Sequence, residues 1–398
     1  MQLYNTLTRA TEPLAVNDRR VGMYVCGVTP YDTTHVGHAF TFLVFDVLAR
    51  YLRATGLDVV YVQNVTDIDD DILRKADELG LGWQELGARE TEGLRRDMRA
   101  LNALDPDHFV RATDHIPEMV KLIASLIDHG FAYERNGNVY FSVNHDPEYG
   151  KLSQIPRAEM LPIANERGNR PDDPNKEDPL DFVLWQAAAP GEPSWETPWG
   201  EGRPGWHIEC SAMAMRYLGE TVDIHGGGSD LIFPHHESEI AQSENGTGTR
   251  PFARYWMHVA MVEYQGEKMS KSLGNLVLAR DVLSAYHPDA LRLYLLSNHY
   301  RRPWTYEDEA IEEWASIAED LREARSFPAF GVEEVVDVSP LRERFYNAMD
   351  DDLNAPRAIA ALREVGTAIL EAPEEDDIRD AQAVLSELSD ILGLTLDE

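Results

Sequence analysis

Cysteine is almost missing from this 398-residue chain: only Cys26 and Cys210 occur. Two cysteines so far apart in sequence exclude the disulfide framework of a small secreted fold and fit a reducing compartment. They leave core filling, a redox pair or metal ligation open. Lysine is nearly as scarce. With only six lysines, the 36 basic residues are mostly arginine, set against 70 acidic residues for a net charge of −34. Such a chain repels polyanions except where arginines cluster locally. Acidity with little lysine is what a salt-rich cytoplasm selects, and an acid-rich surface without functional meaning explains it equally well. No stretch of about 18 apolar residues occurs, and the start MQLYNTLTRATEPL lacks a charged-then-apolar signal, so a cytoplasmic protein without membrane contact is expected. A composition 43% hydrophobic and 27% charged excludes disorder and allows a sizeable core.

What is present has the order of an α/β protein. VGMYVCGVTP (21–30) is a short apolar run closed by turn residues. AFTFLVFDVLARYLRATG (39–56) has helical spacing with a glycine stop, and DVVYVQNVTDIDD reads as a second buried strand. Strand, helix and strand in so short a span predict a parallel βαβ unit, with ligands at the carboxyl ends of the strands. Residues 71 to 135 read as helical, and 145 to 205, rich in Pro, Gly and Asp, as an irregular insertion. The strand–turn–helix pattern resumes at TVDIHGGGSDLIFPHHESEIAQSE and at ARYWMHVAMVEYQGEKMSKSLGN, and helices fill the chain from about 305 onward. The expected organisation is therefore a Rossmann-type catalytic domain over 1–305, with an insertion at about 71–205, followed by a helical bundle over 306–398.

Two short motifs carry chemistry. DTTHVGHAFTF places His35 and His38 at a strand-to-helix turn, where glycine lets a ligand approach the backbone and the helix N-terminus favours phosphate. Imidazoles there can donate hydrogen bonds to phosphoryl oxygens. Alone, two histidines three apart read equally as packing or as half of a metal site. GEKMSKSLGN (266–275) sets Lys268 and Lys271 in a Gly- and Ser-rich loop that could close on a triphosphate, or simply be an exposed basic turn. His235 and Glu239, four apart, share a face if FPHHESE opens a helix; by itself that segment is also an ordinary solvated helix start.

An early HxGH and a late KMSKS resemble the two signatures of class I aminoacyl-tRNA synthetases. MYVCGVTPYD, YVQNVTDIDDDIL, FVLWQ, GRPGWHIECSAM and DIHGGGSDLIFPHHESEIAQSE extend the resemblance, over essentially the whole chain, to the cysteine-activating branch. That resemblance implies a class I α/β fold, formation of cysteinyl-adenylate from ATP-magnesium and L-cysteine, and catalytic roles for His35, His38, Lys268 and Lys271. It implies one zinc ion on Cys26, Cys210, His235 and Glu239, a donor set suited to zinc, which would accept the substrate thiolate and reject serine without editing. It also implies Gly27, Thr29, Thr66 and Trp206 near the amino acid, and Gly226, Gly228, Asp230 and the backbone at Met269 near the adenosine. Thr66 and Trp206 read equally as core residues.

Two relatives within the branch differ in acceptor. Cysteinyl-tRNA synthetase esterifies the terminal ribose of tRNA(Cys), whereas the mycothiol-pathway ligase acylates the amino group of glucosaminyl-inositol. Four features favour the amino-sugar acceptor. The chain stops at ILGLTLDE, where the synthetase usually continues. Residues 301–398 hold 26 Asp and Glu against 9 Arg and no Lys, a net of −17, where a grip on an anticodon stem should be basic. Phe40 stands where the synthetase usually has arginine, and TPYD (29–32) with ANERGNRPDDPNKEDPLDFVLW (164–185) resembles the ligase. LYNTLTR and KMSKSLGN resemble the synthetase instead, which keeps tRNA(Cys) as the alternative. A different HxGH nucleotidyltransferase, or an inactive zinc-binding homologue, is the remaining reading.

Overall fold

A computed structural model describes residues 1–16, 18–31, 34–269 and 274–397. Its centre is a five-stranded sheet in the order Ala253–Val259, Val222–Gly228, Arg20–Val28, Asp58–Val65, His108–Arg111, with every neighbouring pair parallel. The central strand Arg20–Val28 is buried from Val21 to Cys26, as its near-continuous apolar run requires when both faces are covered. The chain builds outward from it in one direction through Asp58–Val65 and in the other through Val222–Gly228. The crevice between Arg20–Val28 and Val222–Gly228 is therefore the topological switch point, where open parallel sheets bind their ligands.

The helix Val36–Ala54 follows the first strand and buries Phe40, Leu43, Phe45, Val47 and Leu48 against the sheet. His35 caps its start, and Gly56 takes up a left-handed turn (φ 86°) after its end, so the glycine stop falls where the sequence predicts it. The strand His108–Arg111 is missed by the sequence reading, which extends a helical stretch over it. Four residues at the sheet edge carry too little alternation to signal a strand.

The insertion is more regular than its composition suggests. It contains a five-stranded antiparallel sheet, in the order Ala132–Arg135, Asn138–Phe141, Phe182–Ala187, Gly200–Pro204, Trp195–Thr197, and the helix Arg157–Glu166. Its strands are three to six residues long, and every connection between them except the Asn136–Gly137 hairpin turn contains proline, so no period becomes visible in the sequence.

Helices Ala310–Ser326, Ser339–Asp350, Ala355–Leu370 and Arg379–Leu392 close the chain, and their apolar faces belong to the same core cluster as Val36–Ala54. A buried ionic knot joins the two. Asp46, 1% exposed, accepts from Arg292, from Arg50 Nε at 3.1 Å and from the Leu104 amide at 2.8 Å. Arg292 also donates to the carbonyls of Leu101 and Leu392. Removing one partner of such a pair strands the other without compensation. Asp46→Ala is expected to lower unfolding stability by about 3–5 kcal/mol, read as a lower denaturant midpoint; an unchanged midpoint would show that the knot contributes nothing net.

Candidate active site and metal cluster

A cavity of about 1580 Å³ opens at the switch point, between the sheet's carboxyl edge and the insertion. Of the residues chosen from the sequence, Cys26, Gly27, Thr29, His35, His38, Trp206, Gly228, Asp230 and Met269 line it. Thr66 and Gly226 do not. Thr66 is buried, and its amide donates to the Val28 carbonyl at 3.1 Å; Gly226 packs on Phe45, where an added Cβ would lie 2.2 Å from the ring.

The register between Arg20–Val28 and Asp58–Val65 shifts between Val25 and Val28, and this irregularity carries Cys26 and Gly27. A Cβ on Gly27 would lie 1.7 Å from the Asn64 carbonyl oxygen, while its amide donates to Asn64 Oδ1 at 2.8 Å. Only glycine allows so close an approach of the two backbones.

His35 and His38 stack with ring centroids 3.8 Å apart. His35 is the N-cap of Val36–Ala54, its Nδ1 accepting from the Gly37 amide at 3.1 Å. A neutral imidazole that accepts at Nδ1 carries its proton on Nε2, which makes that nitrogen a donor. A Cβ on Gly37 would stand 2.9 Å from the His35 ring and 3.5 Å from Met269 Cε, so the KMSKS segment reaches the HxGH turn at Met269. Lys268 lies in the short strand Glu267–Lys268, paired with Val262–Tyr264; Lys271 lies outside the described residues.

Beneath the cavity Cys26, Cys210, His235 and Glu239 converge, all buried, their candidate ligand atoms within 4.8 Å of one another. Cys26 Sγ is 3.7 Å from Cys210 Sγ and 3.6 Å from Glu239 Oε1, and His235 Nε2 is 3.2 Å from Glu239 Oε1. Cys210 comes from the helix Trp206–Leu218 and Glu239 from Glu237–Thr247, whereas His235 sits in the wide turn Ile232–His236 just before that second helix. Trp206 stacks on His235 at 4.2 Å and itself lines the cavity.

A second set, Cys26, His225, His236 and Glu239, meets the same distance limit. Sequence reasoning missed it, together with a chain of histidines around it. His236 Nε2 is 3.3 Å from Cys26 Sγ, His236 Nδ1 is 2.7 Å from His258 Nε2, and His207 Nδ1 is 2.9 Å from His235 Nδ1. The available signal was a histidine between isoleucine and three glycines in the strand VDIHGGG, and the doubled histidine that follows it.

Burial pushes the Cys26 thiol and the Glu239 carboxyl up, and drives His207, His225 and His258 down to about 3. Every one of these groups is held in its neutral form, and Glu239 Oε2 makes no aligned hydrogen bond, although His225 Nε2 stands 3.3 Å from it. A divalent cation would reverse that balance by pairing with thiolate and carboxylate. The sulfur, imidazole and carboxylate donors together fit a bound metal.

Residues 13–316 match the model of the class I (C) tRNA synthetase catalytic domain, and residues 344–397 match the DALR domain. A cysteine-tRNA ligase of Dehalococcoides mccartyi is 46% identical over 401 residues, covering 100% of this chain and 87% of that protein. The cysteine-tRNA ligase of Legionella pneumophila strain Paris is 49% identical, covering 91% and 79%, and that of Thermococcus onnurineus 44% identical, covering 99% and 86%. Among solved structures, Mycobacterium tuberculosis methionyl-tRNA synthetase with methionyl-adenylate superposes with a TM-score of 0.66 at 16% identity, covering 94% of this chain and 89% of that one. That likeness concerns the fold.

The amino-sugar acceptor favoured by the sequence finds no support in these relatives. Phe40, which stands where the synthetase usually has arginine, is fully buried and packs edge-on against Trp304 at 5.6 Å.

Proposed function

The chain belongs to the class I cysteinyl-tRNA synthetase family and is an ATP-dependent cysteine ligase, and from that premise we propose that its acceptor is the terminal ribose of tRNA(Cys). Cysteine activation is supported by the seating of the Cys26–Cys210–His235–Glu239 cluster directly beneath the cavity that His35 and His38 line, and the acceptor by the likeness, at 44% to 49% identity, to cysteine-tRNA ligases. A thiol-selecting floor and a phosphate-binding wall share one chamber.

In this reading the cysteine carboxylate attacks the α-phosphorus of ATP, and pyrophosphate leaves. His35, through Nε2, and His38 hold phosphate oxygens as charge builds on them, at the end of a 19-residue helix whose dipole favours anions. Lys268 and Lys271, with the magnesium that accompanies ATP, neutralise the departing pyrophosphate. A hydroxyl of the acceptor ribose then attacks the carbonyl of the adenylate, and AMP leaves.

Cys26, Cys210, His235 and Glu239 would hold zinc, which when bound favours the substrate thiolate over the hydroxyl of serine. This set is preferred to the one with His225 and His236 because it has two sulfurs and because its His235 lies under Trp206 at the cavity floor. Trp206 closes the floor around the side chain, and Gly27, Thr29 and the buried Thr66 shape the amino-acid end. Gly228, Asp230 and Met269 border the adenosine, with Gly226 keeping that strand close to Phe45.

The test is AMP release by the purified protein with ATP, magnesium and cysteine, adding either total tRNA or glucosaminyl-inositol. Stimulation by tRNA with acid-precipitable cysteine is expected. Stimulation by the amino sugar alone would reverse the assignment.

A further inference from the structure

Residues 166–176 of the insertion run along the cavity as a strap. Its arginines already have carboxylate partners. Arg167 Nη1 is 3.2 Å from Asp230 Oδ2, and Arg170 Nη2 is 3.5 Å from Asp70 Oδ2, an aspartate that Arg203 also engages. Lys176 differs. Its ammonium donates to Asn169 Oδ1 at 2.5 Å, and no carboxylate lies within ion-pair distance of it among the described residues.

The carboxylates whose charge acts on Lys176 are those of Asp173, Asp181 and Asp178, each bound by other groups. Asp173 accepts from the Tyr140 hydroxyl at 2.7 Å, Asp181 from the Tyr133 hydroxyl at 2.6 Å and the Val143 amide at 2.9 Å, and Asp178 pairs with Arg157 at 2.7 Å. Asn169 is oriented to aim the lysine, since its Nδ2 donates to Asn165 Oδ1 at 2.7 Å and to the Pro179 carbonyl at 3.1 Å, leaving Oδ1 for the ammonium. Burial lowers the lysine's proton affinity below the ordinary value, so the charge is maintained there at a cost. In a chain of net charge −34 with six lysines, a cation on the cavity wall without a carboxylate partner is positioned for an anion from outside the chain.

We propose that Lys176 is an acceptor-binding residue, its ammonium taking a backbone phosphate near the 3′ end of the acceptor strand; this rests on the tRNA reading above. The site lies on the insertion wall, whereas the phosphates of ATP are assigned to His35 and His38. Lys176 therefore acts in the transfer step and not in adenylate formation. The same charge repels the protonated amine of an amino sugar, which makes it a determinant of acceptor class.

The experiment compares wild type, Lys176→Ala and Lys176→Arg in cysteine-dependent ATP–pyrophosphate exchange and in single-turnover transfer from preformed cysteinyl-adenylate to tRNA. Lys176→Ala is expected to leave exchange unchanged and to slow transfer about 10- to 100-fold, the range of one charge-assisted hydrogen bond. Its transfer should also depend less steeply on salt, by roughly 0.7 in the log–log slope. Lys176→Arg restores most of the rate. Transfer and salt slope equal to wild type in Lys176→Ala overturn the assignment, as does an equal loss in exchange and transfer. A wild-type protein that charges no tRNA overturns the acceptor reading itself, and that outcome is visible before any variant is measured.

Discussion

Replacing His38 by alanine is expected to slow cysteine-dependent ATP–pyrophosphate exchange by about 10²- to 10³-fold, the usual loss for one preorganised donor at a site of developing charge. Thermal stability and metal content should change little, because the N-cap of Val36–Ala54 is His35 and His38 belongs to neither candidate metal set. His35 carries two duties that substitution can separate. Its Nδ1 caps the helix Val36–Ala54 through the Gly37 amide, and Nε2 is the nitrogen assigned to phosphate. His35→Ala removes both and should cost about 0.5–2 kcal/mol of stability as well as activity. His35→Asn keeps a good N-cap and removes the imidazole, so exchange should fall while the melting midpoint stays near that of wild type. If His35→Asn and wild type exchange pyrophosphate equally fast, the phosphate-binding role of the pair is wrong.

The metal assignment yields the second large effect. Cys210→Ser exchanges a soft sulfur for a hydroxyl that does not ionise at neutral pH. Zinc stoichiometry and cysteine affinity should fall together, by more than the roughly 10- to 100-fold that follows loss of an outer partner of a metal ligand. His236→Asn tests the competing set. In the arrangement with Cys210 and His235 that variant keeps its zinc, since His236 then only neighbours the cluster through Cys26 and His258. Zinc lost from His236→Asn but retained in Cys210→Ser would move the metal to Cys26, His225, His236 and Glu239. Metal analysis alongside cysteine-dependent exchange, with adenylate formation from saturating cysteine as a second readout, distinguishes a missing metal from a missing fold.

Much of the candidate site was legible because its elements are local. His35 and His38 sit within one strand-to-helix turn, and the glycine between them reports close packing on the residues themselves. The βαβ unit announces itself through Val21–Cys26 and the helical spacing of Phe40 to Leu52. Less legible were the short strands of the insertion, where prolines interrupt any period, and the edge strand His108–Arg111. The amino-sugar acceptor favoured by the sequence finds no support in the relatives. Phe40 was weighed by its place in a motif, and the structure shows it buried against Trp304.

By itself, the sequence determined the parallel α/β class, the strand-to-helix turn that carries His35 and His38, and a pair of cysteines too few for any disulfide framework. These follow from local pattern, side-chain chemistry and counting. Only the tertiary structure decided that Cys26 and Cys210, 184 residues apart, stand 3.7 Å from each other. It likewise decided that five histidines crowd around them and that Lys176, unlike the two arginines of its strap, lines the cavity without a carboxylate partner among the described residues. Distance in space and the loss of water around a group set its protonation and its partners, and neither is written in the order of the residues.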